Sequence, residues 1–158
     1  MPKGVLLDTS FFLRFLNETD PLFANADSYF KYFIEHDIPM MMSTISIGEY
    51  CVKGETHELP LKNLQILPFN IDHAKRAGQF ARIVFDHKGT LDLSQRNIIP
   101  NDTKLFAQAD CELGIEMYLS SDKESIKVFE LLKQETTMRF QFIDLRVPHT
   151  ETFGILGI

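Results

Sequence analysis

Near the amino terminus an apolar run stops at a single carboxylate, Gly4-Val5-Leu6-Leu7-Asp8, and apolar residues then resume at helical spacing through Thr9-Ser10-Phe11-Phe12-Leu13. A strand so uniformly apolar, with a β-branched residue at Val5, suits burial on both faces by flanking helices. The run therefore points to a layered α/β architecture. Asp8 falls at the carboxyl end of the strand, the edge where open parallel sheets form their ligand crevices. Asp8 or Thr9 also suits the cap of a helix starting near Ser10, because both accept hydrogen bonds from unpaired amides. Both readings of Asp8 stand at this point.

The rest of the chain repeats the alternation. Thr19-Asp20-Pro21 predicts a helix start with Asp20 as cap, and Leu22, Ala26, Tyr29, Phe30 and Phe33 then share one face as far as His36. That spacing marks the aromatic stripe as core or a subunit contact rather than a base-stacking platform. Ile38-Pro39-Met40-Met41-Met42 is a second strand, and Leu64 to Phe69 a third, placed at an edge by Pro68. Between them, Glu55 to Lys62 reads as a loop or short extra helix. Asp72 is expected to cap a helix from His73 to His87, with Ala74, Ala77, Phe80, Ala81, Val84 and Phe85 inward and Gly89 ending it. A loop from Thr90 to Pro100 follows, and Arg96 is its candidate for a phosphate contact. Asn101-Asp102 opens the next predicted helix, closed by Gly114. Ile115 to Leu119 is a strand ended by Ser120-Ser121-Asp122, then come an amphipathic helix from Lys123 to Gln134 and a last strand from Phe140 to Leu145. Asp144 is read as a solvated strand end. The apolar tail from Phe153 to Ile158 is expected to pack under the sheet or to await a partner.

With 158 residues and 44% hydrophobic content, the chain is read as one domain spanning 1–158, a doubly wound α/β sandwich on a parallel sheet. No apolar stretch reaches the roughly 20 residues that span a bilayer, and no leader pattern precedes the fold, so a cytoplasmic protein without a membrane segment is expected. Cys51 and Cys111 fall in predicted helices without CxxC spacing and are read as reduced core thiols. The net charge of -6 excludes a uniformly basic, nucleic-acid-coating surface. It does not exclude nucleic acid at a site where a cation offsets clustered carboxylates.

Four acids occupy equivalent places: Asp8 and Asp122 end strands, while Glu49 and Asp102 lie in the first turns of helices beginning on the same sheet edge. Each has a local explanation. Ser46 and Glu49, for instance, have the spacing of a capping box. Capping alone, however, would have used Asn, Ser and Thr as freely. Four carboxylates on one edge repel one another unless a cation lies between them. Oxygen-only ligation suits Mg²⁺ or Mn²⁺ rather than zinc.

Taken in order, Leu6-Leu7-Asp8-Thr9-Ser10, Ser43-x-x-Ser46-x-x-Glu49, Asp102-x-x-Leu105-x-Ala107-x-Ala109 and Ser120-Ser121-Asp122 resemble a PIN domain, the metal-dependent ribonuclease fold that includes VapC-type toxins. The resemblance runs over nearly the whole chain. It implies a three-layer α/β/α sandwich with a five-stranded parallel sheet, one or two Mg²⁺ or Mn²⁺ ions, cleavage of single-stranded RNA, a possible antitoxin protein as partner, and a homodimer. On that pattern Asp8 and Asp102 are direct ligands, Asp122 completes the cluster, and Glu49 holds a metal-bound water or acts as its base. Ser120 matches the hydroxyl beside the last acid and is a candidate substrate contact along with Arg96. Two alternatives remain. An aspartate-nucleophile phosphatase also starts with a strand ending in Asp-Thr, but needs a second acid where this chain has Ser10. A degenerate PIN-like binding module would have lost its metal, although all four acids are present.

Overall fold

In a computed structural model, which describes residues 3–87 and 98–154, Gly4–Leu7 forms strand β1 and all of it is buried. Gly4 is held there by a close approach: its amide donates to Gly114 O at 2.8 Å, and a Cβ added to it would meet that same oxygen at 2.6 Å. Any side chain would push the two backbones apart.

Strands β2 (Met40–Ser43), β3 (Leu64–Leu67), β4 (Ile115–Ser120) and β5 (Gln141–Asp144) join β1 in a five-stranded, wholly parallel sheet of order β3-β2-β1-β4-β5. The chain thus winds outward from β1 to one side and then returns to add β4 and β5 on the other. The reversal between β1 and β4 is a topological switch point, the place where such sheets open a crevice at their carboxyl ends.

Helices α1 (Thr9–Phe15), α2 (Phe23–Glu35), α3 (Thr44–Tyr50), α4 (Ile71–Asp86), α5 (Ile98–Cys111), α6 (Lys123–Glu135) and α7 (His149–Phe153) cover the sheet. Strand alternation divides the core in two. Val5, Leu7, Met40, Met42, Leu119 and Ile143 pack with α1, α2 and Phe153, whereas Leu6 and Tyr118 pack with α4, α5 and α6. The result is the expected three-layer sandwich. The aromatic stripe of α2 is core as expected, with Tyr29 and Phe33 fully buried. Phe153, the first residue of the apolar tail, stacks on Tyr32 with ring centroids 4.4 Å apart. Residues 155–158 lie outside the described residues. Among those described, no helix is long and apolar enough to cross a membrane.

Several local expectations need correction. The second helix begins at Phe23 rather than beside Pro21, because Asp20 ties the preceding turn by accepting from the Leu22 amide and from Arg14. Asn70, not Asp72, caps α4, in a reciprocal pair with His73. Phe85 is 64% exposed rather than inward, since the buried stripe of α4 runs through His73, Ala77, Phe80 and Val84. Cys51 is an exposed thiol at the end of α3, and Cys111 is partly buried, so neither is a core residue. The stretch before β3 follows its expectation, with two turns of 3₁₀ helix at Thr56–Glu58 and Leu61–Asn63. The predicted end of α4 at Gly89 and the 90–97 part of the loop, Arg96 included, lie outside the described residues.

Candidate functional site: an acidic cavity at the carboxyl edge

The end of β1 and the end of β4 are stitched together by hydroxyls. Asp8 occupies the cap position of α1 by backbone geometry, yet its side chain caps nothing. Its Oδ2 instead accepts from Ser10 Oγ and from Ser120 Oγ, both at 2.8 Å. Ser10 Oγ in turn accepts from the Ser121 amide, and Ser120 Oγ from the Asp122 amide, each at 3.0 Å. Each hydroxyl therefore takes a backbone proton from the β4 turn and passes its own to Asp8. Burial raises the pKa of Asp8, and the charge of Asp122 raises it further, while the two hydroxyls pull the other way. Ser120, expected to touch substrate, is fully buried beneath the acids and acts on Asp8 instead.

Asp122 is the one acid that also caps. Its Oδ1 accepts from the Glu124 amide at 2.9 Å, fixing the first turn of α6. Glu49 was expected in the first turn of its helix within a capping box. The helix starts earlier, because Ser43 at the very end of β2 caps it by accepting from the Ile45 amide, which places Glu49 in the second turn. There Oε1 accepts from Thr9 Oγ1 at 2.9 Å and Oε2 from Asn101 Nδ2 at 3.3 Å. Burial, then the nearby charge of Asp8, raises its pKa.

Asp102 also lies deeper in its helix than predicted, since α5 begins at Ile98. It is 5% exposed; Oδ1 accepts from Ser125 Oγ at 2.8 Å, and Oδ2 is buried with no hydrogen-bond partner among the described residues. Burial, with the charges of Asp8, Asp122 and Glu49 added, pushes its pKa up to about 8. An ionised carboxylate in that position costs free energy unless a cation or proton joins it.

All four acids line a single cavity of about 410 Å³, together with Thr9, Ser10 and Asn101 and the apolar Leu13 and Leu105. The donors are all oxygens, which suits a hard divalent cation. As the side chains stand, no group of three His, Cys, Asp or Glu among the described residues forms a ready ligand cage. Each acid leans instead on its own hydroxyl or amide. The unpartnered Oδ2 of Asp102 is the atom that a cation would satisfy. Sequence reasoning missed the residues that aim the acids, namely Thr9, Ser10, Asn101 and Ser125. Thr9 and Ser10 stand inside the Leu6-to-Ser10 motif, but nothing in the type or spacing of Asn101 and Ser125 separates them from ordinary surface residues.

No family model and no curated protein sequence matches the chain. Solved structures do. A DNA-bound VapBC from Salmonella typhimurium aligns with a TM-score of 0.56 at 17% identity, over 92% of this chain and 99% of that one. VapBC2 from Rickettsia felis, bound to a DNA fragment from its promoter, gives 0.57 at 18% identity over 89% and 98%. VapC20 from Mycobacterium tuberculosis, described as a toxin that cleaves the sarcin–ricin loop, gives 0.53 at 18% identity over 78% and 94%. The chain therefore has the PIN-like α/β fold of the VapC structures.

Proposed function

We propose that this chain is a ribonuclease that hydrolyses phosphodiester bonds of single-stranded RNA with the help of Mg²⁺ or Mn²⁺, acting as the toxin of a toxin–antitoxin pair. The carrying observation is Asp102: a desolvated carboxylate with one unpartnered oxygen, in a cavity with three further acids at the switch point of the sheet. Buried polar atoms are ordinarily hydrogen-bonded; Glu124 Oε2 is likewise buried without a partner among the described residues, but Asp102 is the one of the two that shares a cavity with three further acids. The VapC likeness supports the same reading, since one of those structures is a toxin that cuts an RNA loop.

In this reading Asp8, Asp102 and Asp122 would hold the metal. A bound divalent ion would acidify a water and offset charge on the phosphoryl oxygens. Glu49, an exposed residue of the cavity wall, takes the proton from the attacking water; its raised pKa brings its basicity closer to neutral pH. Ser10 and Ser120 keep Asp8 in one rotamer through paired hydroxyls. Ser10 also counts against the phosphatase alternative, because it donates to Asp8 where that chemistry needs an acid. A small antitoxin protein is the partner that the reading requires, in keeping with the VapBC complexes that share the fold.

The test pairs metal binding with cleavage. Mn²⁺ titrated calorimetrically into the wild-type chain should bind, and the Asp102→Ala variant should lose that heat. Asp8→Asn should keep the far-UV circular dichroism of the wild type and cut no RNA. A folded Asp8→Asn chain with full metal-dependent activity would sink the assignment.

A further inference from the structure

None of the described residues lining the acid cavity is a cation, and the whole chain carries a net charge of -6. A polyanion approaching that edge needs positive charge close by. It is found next door. A second cavity of about 400 Å³ shares Ser10 and Asp122 with the acid cavity and is lined by Arg14, Lys123 and Arg146. These cations come from three separate places in the chain: α1, the first turn of α6 and the turn after β5.

Two of them are held in place from behind. Arg14 Nη1 donates to Asp20 Oδ2 at 2.7 Å, and Arg146 donates through Nε and Nη2 to the two oxygens of Asp144 at 3.0 and 3.1 Å. These pairs use only part of each guanidinium's donor set and leave other N–H groups for a ligand. Lys123 has no ion-pair partner among the described residues. It is also the first residue of a 13-residue helix, where the helix dipole disfavours a cation. Local helix preference therefore does not account for a lysine at this position, nor does an ion pair among the described residues, and such a departure from local preference is what a binding role leaves behind.

We propose that Arg14, Lys123 and Arg146 form a cradle for one backbone phosphate of the RNA strand, adjacent to the scissile phosphate over the acids. This rests on the ribonuclease reading above. The cradle fixes the strand's path across the shared wall of Ser10 and Asp122. It binds without taking part in bond breaking, so its loss should raise KM and leave kcat nearly intact.

Lys123→Gln is the clean variant, since it breaks no ion pair among the described residues; Lys123→Gln/Arg146→Gln is the stronger one. Binding is read by the fluorescence anisotropy of a fluorescein-labelled oligouridylate over a series of salt concentrations, with Ca²⁺ replacing Mg²⁺, and again with a single-stranded DNA of equal length. Wild type should bind both strands. The single variant should weaken binding by about 3- to 10-fold and the double by about 10- to 100-fold, with the slope of log affinity against log salt reduced by about 0.7. Unchanged affinity and slope in both variants, with wild type binding, would overturn the cradle and leave the nuclease reading standing. Weakening confined to RNA would overturn the phosphate assignment in favour of a sugar contact. A wild-type chain that binds neither strand would overturn the nuclease reading, and the cradle with it.

Discussion

Asp8 and Asp102 line the same cavity, but the fold treats their oxygens differently. Asp8 Oδ2 takes two hydroxyl protons, and those hydroxyls are themselves engaged by backbone amides. Asp102 accepts one hydroxyl hydrogen bond on Oδ1, and its buried Oδ2 has no partner among the described residues. The first arrangement secures position; the second stores an electrostatic demand. A site that must capture a cation and hold it in one place needs both. Hydroxyl donors can stabilise a carboxylate without competing for the metal as a fixed lysine or arginine would. The described part of the cavity wall contains neither.

The largest effect should come from removing either charge. Asp8→Asn and Asp102→Asn should each reduce cleavage by about 10³-fold or more, so activity assays alone will not tell the two acids apart. Their separation comes from metal-free stability against pH. Asp102 has its pKa raised from 3.8 to about 8 in the folded chain, so the folded state holds a proton that the unfolded state has released. Its contribution is complete below the unfolded value, and stability should fall as pH rises from about 4 to about 8, by up to about 1.4 kcal/mol per unit, then level off. Urea melts of wild type and Asp102→Asn in EDTA should differ by that slope. If Asp8→Asn flattens the curve more than Asp102→Asn does, the contrast drawn above is wrong.

Smaller effects sharpen the comparison. Ser120→Ala removes a donor to Asp8 and an acceptor for the Asp122 amide at once. It should cost about 2 kcal/mol in chemical denaturation and weaken Mn²⁺ binding by about 10- to 100-fold. Ser125→Ala removes only the single donor to Asp102. It should cost about 1 kcal/mol and move the pH-dependent loss of stability upward, because the remaining influences on Asp102 all raise its pKa. Equal costs for the two serines would show that the Ser120 relay to the β4 turn carries no weight.

The strands were legible because each is a short apolar run bounded by turn residues, and parallel burial leaves few other uses for such runs. The helix starts were less so. Pro100 reads as the end of a loop, yet it sits in the first turn of α5, where a missing amide proton costs nothing because those amides have no intrahelical acceptor. Ser46 and Glu49 satisfy the capping-box spacing, but Ser43, one helical turn earlier, reaches the amides first because β2 runs into α3 with no loop between. All four acids reach the cavity nonetheless. A shift of a turn along a helix that starts at the sheet edge still leaves a side chain over that edge. The supporting hydroxyls were illegible for a different reason: Ser10 and Ser120 lie 110 residues apart and meet only once β1 and β4 are paired.

That pairing has a consequence in time. β1 emerges from the ribosome first, but its neighbour β4, with Ser120 and Asp122 at its end, is made more than a hundred residues later. At about 5–20 residues per second, synthesis of the interval takes roughly ten seconds. Until β4 is complete Asp8 lacks the Ser120 hydroxyl and the Asp122 carboxylate, so an unfinished chain has no complete site. A fragment released early, by a nonsense codon or a stalled ribosome, would lack Ser120 and Asp122, so any activity that needs all four acids would arise only with the last third of the chain.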